Sequence, residues 1–151
     1  MEKAKTMSEC DEFLSTIKSR GATLAPAPGA RAATLANTAL QNLRAAMLPA
    51  FLLEMYTKAG AINLGTGYIF GATEVARGAK YPIPDIVSVN RELTAIKKLR
   101  GLTVFGRNDL FWFAFDSFGN CMMLDNLNLG VLRKYDNPYR AMSDCLLGGK
   151  F

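Results

Sequence analysis

Residues 110–124 read LFWFAFDSFGNCMML, and the first half of this stretch limits the possible fold more than any other. Strand residues alternate sides, so Phe111, Phe113 and Phe115 fall on one face and Leu110, Trp112 and Ala114 on the other. Both faces are apolar. A strand of that kind is expected to be central, with both sides covered by helices, or else to offer one face to a partner. The polar DSFGN that follows and the apolar CMML after it read as a turn and the returning strand of a hairpin.

Upstream the period is mostly helical. In SECDEFLSTIKSRG, Ser8 is placed to cap a helix, Asp11 and Glu12 suit its first turn, Phe13, Leu14 and Ile17 share a face, and Gly21 stops it after Lys18 and Arg20. APAPGA at 25–30 is a loop, because two prolines and a glycine break any helical run. Leu35, Ala39, Leu43 and Ala46 or Met47 carry helical spacing from Ala32 to Met47. Pro49 opens a further helix in LPAFLLEMYTKAGA, with Phe51, Leu52, Met55 and Tyr56 as its apolar stripe and Gly60 near its end.

INLGTGYIFGATEV then reads as one short strand among the glycine turns at Gly65, Gly67 and Gly71. YPIPDIVSVNRELTAIKKLRG reads as a helix capped by Asp85, with Ile86, Val89, Leu93 and Ile96 on one face, ending before Gly101. The last third is sheet: LTVFG, DLFWFAFD, NCMMLD and LGVLRKY are four strands with turns of a few residues, the spacing of an antiparallel meander. NPYRAMSDCLLGG closes the chain as a helix capped by Asn137, with Pro138 at its first position and Gly148 and Gly149 at its end. The expectation is an α+β fold, an antiparallel sheet of about five strands with helices packed against it. It forms a single domain over 1–151, in which residues 1–31 are an N-terminal helix and loop. With 151 residues and 50% hydrophobic content, the chain is long enough to bury a core without a disulfide scaffold.

Composition enters where function is concerned. The chain has no histidine, which removes the commonest general base, the usual triad base and the usual zinc ligand together. The expectation is no enzyme, no cofactor and no metal. Cys10, Cys121 and Cys145 are an odd count with no CxxC pair, as in a cytosolic protein with reduced thiols, and Cys121 and Cys145 have the apolar neighbours of core residues. No early run resembles a signal peptide and no stretch of 18 apolar residues is present, so a cytoplasmic protein without a membrane contact is expected. The formal charge of +5 permits an acidic partner, but the basic residues are dispersed. The densest cluster, KKLRG with Lys97, Lys98 and Arg100, fits a solvated helix end, which disfavours nucleic acid as the partner.

A few constellations remain. LGTGY holds a G-x-G but lacks the third glycine and the strand-to-helix setting of a dinucleotide site. Asp109, Asp116 and Asp125 fall at strand ends, where turn hydrogen bonding accounts for each; their alternative is a shared sheet edge on which three carboxylates face one partner, or pair as acid and base. GRND reads as a polar turn in which Arg107 is free to meet a partner carboxylate. Trp112, if exposed, is a binding hot-spot candidate.

The order and wording of these elements resemble the SUKH superfamily, which includes the yeast Smi/Knr cell-wall regulators and many bacterial immunity proteins. The likeness lies in the Leu-Pro helix LPAFLLEMYTKAGA, the glycine-bearing turn and strand around GTGYIFGATEV, the segment GLTVFGRNDLFWFAFDSFGNCMMLD and the closing helix near NPYRAMSDCL. Asn108 and Asp109 stand where members often carry a glycine-aspartate pair. The resemblance implies a SUKH-like fold and a non-catalytic binding module, with a cognate bacterial toxin domain as its partner, neutralised by steric occlusion. Its expected partner-binding residues are Arg107, Asp109, Trp112, Asp116 and Asn120. Because this chain is net basic, mimicry of nucleic acid by a broadly acidic surface does not fit it. Two other readings stand beside it: a regulatory scaffold like the yeast members, and a small hydrolase using paired aspartates.

Overall fold

The computed structural model describes residues 8–73 and 83–148. The chain begins with α1 (Glu9–Ser19), β1 (Thr23–Leu24), α2 (Ala30–Asn42) and α3 (Ala50–Tyr56), and continues through β2 (Ile62–Leu64) and β3 (Gly67–Ile69) to α4 (Ile86–Glu92). It ends with β4 (Thr103–Arg107), β5 (Phe111–Phe115), β6 (Cys121–Asp125), β7 (Val131–Tyr135) and α5 (Pro138–Leu147). The described strands form one antiparallel sheet in chain order, so the fold is α+β as expected.

The strand count is corrected from about five to seven. INLGTGYI is two strands and not one: Gly65, at φ +59, turns the chain so that Ile62 faces Ile69 and Leu64 faces Gly67. Thr23 and Leu24 add β1 through pairing with Asn63 and Ile62, a non-local contact that no local pattern announces. The expected end of the first segment at Glu74 and Val75, the YP that opens the next, and Gly149 lie outside the described residues.

Two helices also end early. α2 stops at Asn42 because Arg44 takes a left-handed φ of +62, which lets Ala45 N–H close on the Leu40 carbonyl and frees 45–48 to run extended. There the Thr103 hydroxyl donates to the Ala46 carbonyl (2.6 Å) and Leu48 N–H donates to Asn37 Oδ1 (2.7 Å). α4 stops at Glu92, and a short 3-10 turn follows at Lys97–Leu99. On an unbroken helix Leu99 would point about 220° around the axis from Ile86, away from the core. The break turns it inward, where it is buried.

The two apolar faces of β5 are both covered at its centre, as expected of a central strand. Phe113 and Phe115 face the side that carries α3 and α5, where Phe51 meets Phe115 and Phe105 edge-on and Phe113 lies 6.5 Å from Tyr135. A bulge between Val104 and Gly106 inserts Phe105 beside Phe115, ring centroids 5.8 Å apart. On the opposite face Ala114 pairs with Val104 and Met122, and α4 packs against β4 there. Asn90, buried in α4, donates to the Val104 carbonyl (2.9 Å) and accepts from Val104 N–H (2.8 Å), which fastens that helix to the central strand at the bulge. Phe111, expected in the core, is half-buried, because it starts its strand and pairs with Asp125 near the sheet end.

α5 sits on the sheet by way of two residues without side chains. A Cβ on Gly67 would stand 2.5 Å from the Cys145 carbonyl oxygen and 2.9 Å from Leu146 Cα; one on Gly106 would meet Tyr68 O at 2.7 Å and Cys145 Sγ at 3.2 Å. The first contacts are with backbone, so neither can be relieved by a rotamer change. Gly67→Ala is expected to lower stability by about 2 kcal/mol or more in urea unfolding, as overpacking does when backbone must move.

Candidate partner-binding surface

Three of the sheet's hairpin turns are built the same way. Asn108 Oδ1 accepts from Leu110 N–H (2.9 Å) and Phe111 N–H (2.8 Å); Asp116 Oδ1 accepts from Phe118 N–H (2.9 Å) and Asn120 N–H (3.0 Å); Asp125 Oδ1 accepts from Leu127 N–H (2.7 Å) and Asn128 N–H (3.2 Å). Each is an Asx turn, and each leaves the residue two places on pointing outward. Leu110 is 59% exposed, Phe118 87% and Leu127 89%. A side-chain oxygen that fixes a tight turn thus holds an apolar tip in water.

These turns lie at two ends of the sheet. The β2–β3, β4–β5 and β6–β7 turns share one end, where Thr66 donates to Asp109 Oδ1 (3.2 Å) and Asn126 Nδ2 donates to the Asp109 carbonyl (3.2 Å). The β5–β6 turn, with Asp116 and Asn120, is at the other. Asp109 and Asp116 are separated by the length of β5, roughly 20 Å at strand rise. The shared edge of three carboxylates is therefore corrected: Asp116 lies at the opposite end of the sheet from Asp109 and Asp125. The turn role expected of Asp109 belongs to Asn108, a buried residue whose Nδ2 also donates to the Cys145 carbonyl (3.1 Å).

Arg107 and Trp112 form a second group. Arg107 is the last residue of β4 and not part of the turn, and it sits directly across from Trp112 in the β4–β5 ladder. Both line a groove of about 190 Å³ against α4, with Ser88, Val89 and Glu92 on its far wall. Trp112 is half-buried there, neither fully in the core nor free as a protruding anchor. The five expected residues thus fall into three places: Arg107 and Trp112 in the α4 groove, Asp109 at the near end, and Asp116 with Asn120 at the far end.

The residue sequence reasoning missed is Phe118. Its signal is present as Asx-x-apolar at 108–110, 116–118 and 125–127, a spacing that only gains meaning once the Asx turn is recognised. The Phe118 turn abuts the α2–α3 connection, where a Gly119 Cβ would lie 3.4 Å from Pro49 Cβ. Between them runs a groove of about 550 Å³ lined by Arg44, Met47, Pro49, Ser117 and Phe118, and Met47 is itself 45% exposed.

The thiols are poorly placed for nucleophilic chemistry. All three thiols are buried; desolvation, aided by the charge of Asp116, pushes Cys121 up to about 12, and desolvation raises Cys145 further, against the lowering effect of its contacts with the Tyr68 and Arg107 carbonyls. Among the described residues no three Cys, Asp or Glu side chains converge on a metal-sized site, and no helix is long and apolar enough to cross a membrane. No protein-family model matches the chain, and no curated protein sequence matches it.

Two outcomes follow from the turn and the thiols. Asp116→Ala should remove both bonds to the turn amides, lowering stability by about 1–2 kcal/mol and speeding hydrogen exchange at Phe118 and Asn120. Unfolded thiols ionise near pH 9 while Cys121 and Cys145 stay protonated in the fold, so their contribution to stability is complete below pH 9 and is lost as pH rises toward the folded values. A disulfide reagent at pH 8 should accordingly find no fast-reacting thiol in the folded protein and all three in denaturant.

Proposed function

We propose that the chain is a non-catalytic binding module of the SUKH type, an immunity protein that occupies a cognate bacterial toxin domain in the cytoplasm and blocks it sterically. The observation that carries the binding part is Phe118. Burying a phenylalanine contributes about 1.5–3 kcal/mol, and here an 87% exposed one is held out by a turn with five internal hydrogen bonds. Nothing inside the fold gains from that arrangement. A partner does, because a preordered apolar tip enters a complementary pocket at little entropic cost.

The kind of partner is supported by the likeness of the Leu-Pro helix and the Phe-rich hairpin to immunity proteins. The lack of histidine and of reactive thiols agrees with occlusion as the mechanism, since occlusion needs only shape and contact. Within this reading Asp116 and Asn120 are positioning residues that build the turn, and Phe118 and Met47 make the contact.

The experiment is co-expression with the product of a neighbouring toxin gene. Wild-type protein should restore growth, and Phe118→Ala should weaken binding of the purified toxin domain at least about tenfold with no fall in melting temperature. Continued cell death in every such pairing rules the immunity role out.

A further inference from the structure

Beside the Phe118 groove lies a second one, of about 400 Å³, and the two share Arg44 and Ala45. Its walls carry Leu43, Leu93, Ile96 and Leu99, together with two exposed guanidinium side chains, Arg44 and Arg100. Among the described residues no acidic one lines either groove. Among the described residues the ion pairs are Lys58 with Asp11 and Arg133 with Asp144, so neither Arg44 nor Arg100 is neutralised by a carboxylate of the described chain.

Arg44 is also held in an unusual way. Its N–H bonds the Gln41 carbonyl (3.0 Å) and Ala45 N–H bonds the Leu40 carbonyl (3.0 Å), the paired bonds of a Schellman motif closing α2. The residue at the left-handed position of that motif is normally glycine, because an L side chain resists φ near +60. Here it is an arginine at φ +62. A glycine would close the helix with less strain, so the presence of a long cationic side chain at the junction of two grooves calls for another use.

We infer that this groove binds an acidic, aliphatic segment of a protein partner, with Arg44 and Arg100 on its carboxylates and the leucine and isoleucine walls on its apolar side chains. The inference rests on the reading of the chain as a binding module, and it names the chemistry of what is bound. Guanidinium groups match carboxylates in geometry as well as charge, since each can donate two parallel hydrogen bonds. The aliphatic walls select a peptide over a bare anion. They also disfavour single-stranded nucleic acid, which needs rings on which bases stack, and among the described residues no ring lines this groove. The chain's formal charge of +5 adds a long-range attraction of the same sign.

The test is fluorescence anisotropy on the full chain with a labelled octapeptide of glutamate and leucine, against the same peptide with lysine for glutamate and against a short oligothymidylate. The glutamate peptide should bind, weaken with added salt, and lose at least about tenfold in affinity in Arg44→Gly and in Arg100→Gln. Arg44→Gly should melt no lower than wild type, because relief of the left-handed backbone offsets the lost charge at the helix end; this separates lost binding from lost folding. Absence of binding, equal binding of the lysine peptide, unchanged affinity in both variants, or tighter binding of the oligothymidylate through the same two arginines overturns the inference. Co-expression keeps it distinct from the immunity reading. If wild type protects against a toxin and both variants protect equally, the acidic-segment inference fails and the immunity reading stands. If the peptide binds through both arginines and no paired toxin is neutralised, the inference stands and the immunity reading fails.

Discussion

The close seat of α5 on the sheet is the constraint on which the rest of the molecule depends. Cys145 is its hub: its carbonyl accepts from Asn108 Nδ2, its Sγ lies 3.4 Å from the carbonyls of Tyr68 and Arg107, and its backbone rests over Gly67 with no room for a Cβ. One residue of a helix thus ties down β3, β4 and the β4–β5 turn together. Arg133 and Tyr135 complete the attachment at the far edge, both bonding Asp144 Oδ2, at 2.8 and 2.7 Å. Burial and Asp144 keep the Tyr135 phenol protonated, so it stays a donor in that contact throughout the physiological range.

A sheet clamped on one face by α5 and fastened on the other by Asn90 holds its turns in place, which is what the proposed binding role asks of them. Exposed apolar residues on a mobile loop would lose ordering entropy on binding, whereas Phe118 stands on a turn fixed by Asp116 between two interior strands. The candidate surface draws on three separate parts of the chain: the α2–α3 connection, the 3-10 turn after α4, and the β5–β6 hairpin. Only the fold brings Met47, Arg100 and Phe118 to neighbouring grooves.

Much of this fold is legible in the residues, for a reason that also explains the rest. Ser8, Asp85 and Asn137 were expected as helix caps, and each side chain accepts from an amide within its first turn. The four five-residue strands of the last third are long enough, and bounded clearly enough by turn residues, to be read as strands. β1, β2 and β3 have two or three residues each, too few for any period, and are strands by virtue of what they pair with. The early ends of α2 and α4 follow from tertiary demands, since Leu99 must turn inward and 45–48 must meet Thr103 and Asn37. The site follows the same division. The turn at Asp116 and Asn120 is legible because turn chemistry is local, and the outward position of Phe118 is not, because exposure depends on the whole fold. Arg44 had no signal at all, as LQNLRAAML contains no glycine to mark a left-handed residue.

The central claim is that the protein acts by contact through the surface formed by the β5–β6 turn and the two grooves beside it. Hydrogen exchange of the full chain, alone and with a toxin domain that it is found to neutralise under the proposed role, measures that surface directly. The account predicts slowed exchange confined to the α2–α3 connection, the 3-10 turn and the β5–β6 turn. Protection centred on α1 and α5 instead, with those three segments unchanged, would contradict it.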